Sequence, residues 1–307
     1  MTRASALFAV SVLMAGCTNQ LILDKGDALA ALPRQLTNSG HFVVDLHVNG
    51  RGPFVFALDT AASISVVFDE VREKAGITPA TDKQIVVHGM FEHGSYPLAL
   101  VDSITLGSEK IESVRAAVLP GGSLAGAGID GLLGVDVLSR YALGFSHSDQ
   151  VLRLYNKELV SERSYLGWAT VPLSESVLGE DGPRAYSFDI AIVSEQLPAL
   201  FDLGSNVSLM NSAGARSIGV RQSRLSHGSE VAGAFGASSA SVELDVGHVR
   251  IANLQWRNRN FLVVDLPFFE KLGFDEKPVA IVGTDFFQER DFIIDFERRR
   301  LLIRASD

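Results

Sequence analysis

The chain has 307 residues, 47% hydrophobic and 21% charged, enough to bury one large core or two lobes and too apolar for wholesale disorder. Its formal net charge of −9, with no basic stripe interleaved with aromatics, speaks against a nucleic-acid partner. A lone cysteine, Cys17, excludes an intramolecular disulfide, and seven scattered histidines show no metal spacing, so neither a metal nor another cofactor is expected.

The N-terminus reads MTRASALFAVSVLMAGCTN. Arg3 precedes an apolar run, Ala4 to Ala15, that is too short to span a membrane as a mature helix. Met14-Ala15-Gly16-Cys17 resembles the lipobox of bacterial lipoproteins, although Leu is usual where Met14 stands. An ordinary secretory signal with an incidental cysteine is the other reading. The resemblance implies a signal peptide over 1–16, acylation of Cys17 and a lipidated tether over 17–40. Thr18, in place of Asp, implies the periplasmic face of the outer membrane.

From His41 onward the pattern predicts an all-β protein with small helices, and the 28 glycines suit many turns. HFVVDLHVNGRGPFVFALD alternates apolar and polar residues around Asn49-Gly50, a hairpin signal, and the second strand ends at Asp59. Short strands are expected at 84–88, 96–102, 104–106 and 114–119, with helices at 68–75 and 137–141. Asp136 and Asp285 read as helix N-caps.

The stretch FALDTAAS around Asp59 is, taken alone, a strand end running into an Asx-type turn. An internal repeat changes that reading. Asp202 lies 143 positions after Asp59, and LPALFDLGSNVSLM falls on VFALDTAASISVV, with Ser65 on Ser208 and Val66 on Leu209. A second pair recurs at an offset of 149: Leu132-Leu133-Gly134-Val135-Asp136 matches Ile281-Val282-Gly283-Thr284-Asp285. That match continues into the stretches ending at Tyr155 and Arg304. Two lobes of one design are expected, over 41–160 and 161–307, joined near residues 156–182, where the polar run 179–183 reads as a linker or loop.

Equivalent loops would meet on a pseudo-twofold axis, so Asp59 and Asp202 would face each other. Two such carboxylates share a proton, leaving one as base and the other as acid. The pair could activate a water and protonate an amide carbonyl. Here the sequence resembles the retropepsin-like and pepsin-like aspartic proteases. In that family an Asp-Thr/Ser-Gly loop follows apolar residues, and a later glycine after two apolar residues packs through the loop. The resemblance implies a bilobal, two-barrel acid-protease fold, a monomer cleaving peptide or protein, and Asp59 and Asp202 as catalytic residues. It implies loop support from Thr60, Ala61, Ser63, Gly204 and Ser205, and supporting roles for Gly134 and Gly283. It also implies a flap over 87–94, with Gly89, Met90, Phe91 or Tyr96 near substrate; a plain surface hairpin is the other reading. In the second half, the Gly-, Ala- and Ser-rich stretch 226–238 takes the corresponding position.

The match departs at two places. Ala61 stands where the family has glycine, and Leu203 stands where it has Thr or Ser. Leu203 cannot supply the hydroxyl that reaches across the axis, so Thr60 needs another partner. These departures leave an alternative: a catalytically inactive relative that binds peptide or an envelope partner. A single-lobe enzyme that dimerises is a third reading, which the matched offsets disfavour. Ser63, Ser65, Ser205 and Ser208 lack a G-x-S-x-G elbow and read as hydrogen-bonding residues of the loops.

Overall fold

The computed structural model describes residues 25–305 except 163–164, 166, 178–183, 220–224, 234–235 and 275. The leader, Cys17 and the polar run at 179–183 therefore lie outside the described residues. The first half carries β1 (Ala28–Pro33), β2 (Gln35–Leu36), β3 (Phe42–Val48), β4 (Arg51–Leu58), β5 (Ser65–Phe68), β6 (Pro79–His88), β7 (His93–Leu106), β8 (Glu109–Leu119), β9 (Gly131–Leu133), β10 (Ala142–Ser146) and β11 (Val151–Tyr155). The second carries β12 (Trp168–Pro172), β13 (Ser174–Val177), β14 (Arg184–Ile192), β15 (Glu195–Phe201), β16 (Leu209–Met210), β17 (Leu225–His227), β18 (Val231–Ala232), β19 (Ser238–Ser239), β20 (Val242–Ile251), β21 (Leu254–Val263), β22 (Ala280–Val282), β23 (Phe292–Asp295) and β24 (Arg300–Arg304). Short helices include α1 (Asp69–Lys74), α2 (Gly122–Gly126), α3 (Val135–Leu138), α4 (Lys157–Glu162), α5 (Ser212–Ser217) and α6 (Pro267–Lys271).

Asn49 and Gly50 both adopt positive φ, 51° and 71°, and turn β3 into β4 with Val48 opposite Arg51. In β3, Leu46 and Val48 are buried and Asp45 and His47 exposed, as a sheet with one covered face requires. The stretch expected as two strands at 96–102 and 104–106 is one long strand, β7, because its pairing with β8 runs on through Ser103. The helix expected at 137–141 lies at Val135–Leu138.

The first eight-stranded sheet has the order β2-β3-β4-β9-β5-β8-β7-β6, and the second β13-β14-β15-β22-β16-β21-β20-β17. Position by position the two orders correspond, and the extra β3–β7 pairing recurs as β14–β20. In both, the strand carrying the Leu-Leu-Gly or Ile-Val-Gly run inserts between the strands that flank the acid loop. Thus β9 is parallel to β4 and antiparallel to β5, and β22 stands likewise to β15 and β16.

A third sheet, β1-β11-β10-β23-β24-β12, takes three strands from each half and joins them at β10–β23. Its pairings also correspond: Pro33 lies opposite Val151 as Pro172 lies opposite Arg300. This corrects the expected boundaries. From Ala28 onward the lead-in is sheet, not tether, because β1 closes the edge of the shared sheet and β2 extends the first barrel sheet. Phe145 and Phe292 stack across the junction at 4.2 Å, and Phe42 and Phe287 pack against them, so the main core runs through both halves.

A seam of aromatic rings at the junction should make unfolding cooperative across the halves. Phe292→Ala removes a fully buried ring and should cost about 3–5 kcal/mol. Urea unfolding should shift to a lower midpoint while remaining a single transition; a split transition would show that the halves unfold independently.

Candidate active site

Asp59 follows the end of β4 and Asp202 the end of β15. Each is tied by the same backbone bond to the inserted strand, Asp59 N to Leu133 O at 2.9 Å and Asp202 N to Val282 O at 3.1 Å. The inserted glycines press into the loops. A methyl on Gly134 would stand 2.7 Å from Ala62 O, and one on Gly283 would stand 2.6 Å from Ser205 O. Only a residue without a side chain fits such an approach.

Both loops carry one further device, in which the serines hydrogen-bond the loops as the sequence suggests and the acids take a role that sequence reasoning missed. Gly134 N donates to Ser65 Oγ (3.0 Å), whose hydroxyl donates to Asp136 Oδ1 (2.8 Å). Gly283 N donates to Ser208 Oγ (3.1 Å), whose hydroxyl donates to Asp285 Oδ1 (2.7 Å). Asp136 and Asp285 are therefore not N-caps: the N-cap positions are Gly134 and Gly283, and the carboxylates turn back onto the loops. Burial raises both carboxyls, Asp285 to about 6. The recurrence of Ser65 as Ser208 and of Asp136 as Asp285 was the signal that could have revealed the pairing.

The two acid loops meet. A methyl on Gly204 would stand 2.5 Å from Asp59 Cγ, so the Asp59 carboxyl lies directly over the Gly204 backbone. Beneath them Thr60, fully buried, donates its hydroxyl to Phe201 O (2.8 Å) and accepts from Leu203 N (2.9 Å). Thr60 thus satisfies itself on the opposite backbone, and Leu203, also fully buried, joins the main core. At the rims, Arg184 N donates to Ser63 Oγ (2.5 Å), and Asn206 Nδ2 donates to Ser39 O (2.7 Å). Each loop therefore holds the chain that enters the opposite sheet. Ser205 Oγ donates to Val207 O at 2.7 Å, within its own loop.

The carboxyls differ in their donors. Asp59 Oδ1 accepts from Ala61 N (2.8 Å) and Ala62 N (2.9 Å), so Ala61 keeps the N–H that glycine would offer. Asp202 Oδ1 accepts from Gly204 N at 2.8 Å. Burial raises the Asp59 carboxyl, against the pull of those two N–H groups. Burial and then the charge of Asp59 push the Asp202 carboxyl up to about 8.

Above the acids is a cleft of about 990 Å³, lined by Asp59, Ala61, Ser63, Asp202, Gly204 and Ser205 with apolar walls from both halves. Ile85, Leu124 and Leu132 line it from one half, and Val231, Leu262 and Phe268 from the other. The β6–β7 hairpin closes with Gly89 N on Glu92 O (2.8 Å) and reaches across, Met90 O accepting from Phe268 N (3.2 Å) and Lys271 Nζ lying 2.9 Å from His88 Nδ1. Gly89 and Met90 line the cleft. Phe91 and Tyr96 do not: Phe91 packs over Gly233, 3.2 Å from where its Cβ would stand, and Tyr96 packs on the first sheet's smaller core with Ile85 and Val87. Among the described residues no group of three His, Cys, Asp or Glu side chains is arranged to hold a metal ion.

Residues 44–137 match the family model described as aspartyl protease, a span that includes Asp59, the hairpin and Gly134. No curated protein matches the chain. The match supports aspartic protease function, and with it hydrolysis of a peptide or protein substrate.

Thr60→Val should strand a buried carbonyl and a buried N–H, at about 1–3 kcal/mol each, while Thr60→Ser retains both bonds. Denaturant unfolding of the two variants reads that difference. The Asp202 carboxyl is raised on folding, so its contribution is whole at pH below about 4 and is lost as pH rises through about 8. Asp202→Asn should therefore be more stable than the parent by about 1–3 kcal/mol at pH 9, with the gap closing toward pH 4 in thermal melts.

Proposed function

We propose that the protein is an aspartic endopeptidase whose two sheet-based lobes, related by a pseudo-twofold axis, bring Asp59 and Asp202 together as a proton-sharing dyad. The observation that carries this reading is the seating of the Asp59 carboxyl on Gly204, one residue beyond Leu203 and two beyond Asp202. Two buried acids in such contact hold one proton between them most cheaply. Asp59, with two N–H donors on one oxygen, carries the charge; Asp202, the less exposed of the two and raised by burial and by the charge of Asp59, carries the proton. The charged acid draws a proton from a water, and the protonated acid hydrogen-bonds and then protonates the amide carbonyl. The hairpin over 87–94 and the 229–233 segment roof the cleft and exclude bulk water from the bond being cleaved.

The two departures from the family pattern do not weigh against turnover. Ala61 retains its donor, and the Thr60 hydroxyl is satisfied without a partner side chain at 203. The leader favours an enzyme tethered through Cys17 at the cell envelope; on that reading about ten residues separate the anchor from β1, holding the start of β1 within roughly 35 Å of the membrane.

Asp59→Asn should abolish cleavage of an unfolded protein substrate, and a pepstatin-like inhibitor should block the parent. The parent's kcat/KM should fall as pH rises through about 8, where the dyad loses its shared proton. Cleavage by Asp59→Asn at the parent's rate would overturn the proposal.

A further inference from the structure

The cleft belongs to an acidic chain, yet its exposed charges are mostly positive. Apart from the acid pair and Asp136, which is held by Ser65, the charged side chains lining it are Arg115, Arg140, Arg184 and Glu230. Arg184 is neutralised by Glu175 at 2.7 Å. Arg115 and Arg140 are exposed and form no ion pair within 4 Å among the described residues; Arg140 Nε donates to Asp136 O at 3.3 Å, and its charge pulls the Asp136 carboxyl down against the larger effect of burial.

These two arginines share one end of the cleft. Arg140 is held to Asp136, Asp136 to Ser65, and Ser65 pairs across β5 and β8 with Ala116, the neighbour of Arg115. The loop from Asp59 through Ser63 to Ser65 joins that end to the acids. The duplicated scaffold supplies an internal control. By strand register Ser113 corresponds to Asn258, and both adopt positive φ, 57° and 54°, so the backbone there is the same in the two halves. In that register Arg115 corresponds to Asn260, and Arg140, six residues after Gly134, corresponds to Glu289, six after Gly283. Neither counterpart is a cation. Arg259 and Arg290 of the second half instead sit over Phe286 and Trp256, outside the cleft lining.

We propose that Arg115 and Arg140 form a carboxylate-recognising subsite, so that the preferred substrate is a peptide bearing a carboxylate to one side of the cleaved bond. The guanidinium fork matches a carboxylate in geometry, and a positive rim on an otherwise acidic molecule draws anionic segments into the cleft in one direction. Placing both cations on one half breaks the symmetry of the duplicated cleft and fixes the polarity of the bound chain. The proposal rests on the cleft being the peptide site, and the carboxylate is either an Asp or Glu side chain or a chain terminus.

The full-length Asp59→Asn protein, immobilised, would be offered randomised decapeptides with free and with amidated C-termini, and retained peptides sequenced by mass spectrometry. Asp and Glu should be enriched about tenfold over Asn and Gln at a fixed position in both libraries if a side chain is read. Retention confined to the free-ended library identifies the terminus. Arg115→Gln with Arg140→Gln on the same background should erase either preference, and 0.5 M salt should weaken it. No carboxylate preference in either library, or a preference unchanged in the double variant, overturns the proposal. The dyad is judged separately: a parent that fails to cleave while the preference persists removes the endopeptidase reading and leaves the subsite standing.

Discussion

The buried hydroxyl of Thr60 is the point on which the two halves of the molecule turn. It reaches across the interface to Phe201 O and takes the N–H of Leu203, which fixes one acid loop against the other at the backbone level. A buried donor and acceptor leave little freedom, because any sliding of the loops would strand polar groups away from water. The approach of Asp59 to Gly204 follows from that registration, and so does the raised affinity of both carboxyls for protons. A single Thr suffices because both of its hydrogen-bond capacities are used, which frees position 203 to become core.

Around that contact, each loop is pinned by a repeated set of bonds. The inserted glycine, a serine hydroxyl and a partly buried carboxyl form the same chain in each half, and Val135 N and Thr284 N close on Ala62 O and Ser205 O. Repetition at this level is informative because the side chains elsewhere have diverged widely. What persists is what the backbone path demands: a residue without Cβ at the close approach, and a donor–acceptor pair to satisfy the N–H that the approach buries. The shared six-stranded sheet joins the halves by strand pairing at β10–β23 and by the stacked rings of Phe145 and Phe292.

Much of this was legible in the chain because it is said twice. FALDTAAS alone reads as a turn, and FDLGSN gave it a partner at a fixed offset; the Leu-Leu-Gly and Ile-Val-Gly runs extended the match. The Asn49-Gly50 turn and the burial alternation of β3 were readable from local rules. Illegible were the features set by distant partners. Ala28–Pro33 reads as part of the tether because β1 is short and the strand it pairs with, β11, comes more than a hundred residues later. Asp136 looks like a cap because its position before a short helix fits that role, whereas Ser65 claims its carboxylate from across the loop. Phe91 looks like a substrate contact because it sits at a hairpin tip, whereas the tip leans on Gly233 of the other half.

Two halves with corresponding strand orders have two sets of positions free to differ. Where geometry is demanded of both halves, the residues agree: Gly134 with Gly283, Ser65 with Ser208, and the positive φ of Ser113 with that of Asn258. Where only one half supplies a group, the residues differ, as Leu203 does from Thr60, and as Ala61 does from Gly204 where the N–H alone is needed. Asymmetry between equivalent positions is thus a sensitive indicator of what a cleft asks of each side. A symmetric pair of acids can polarise a bond, but it cannot tell one end of an extended chain from the other. On the proposed reading, direction has to come from the residues that the two halves do not share, and the cleft-lining charges Arg115 and Arg140 are the ones proposed to supply it.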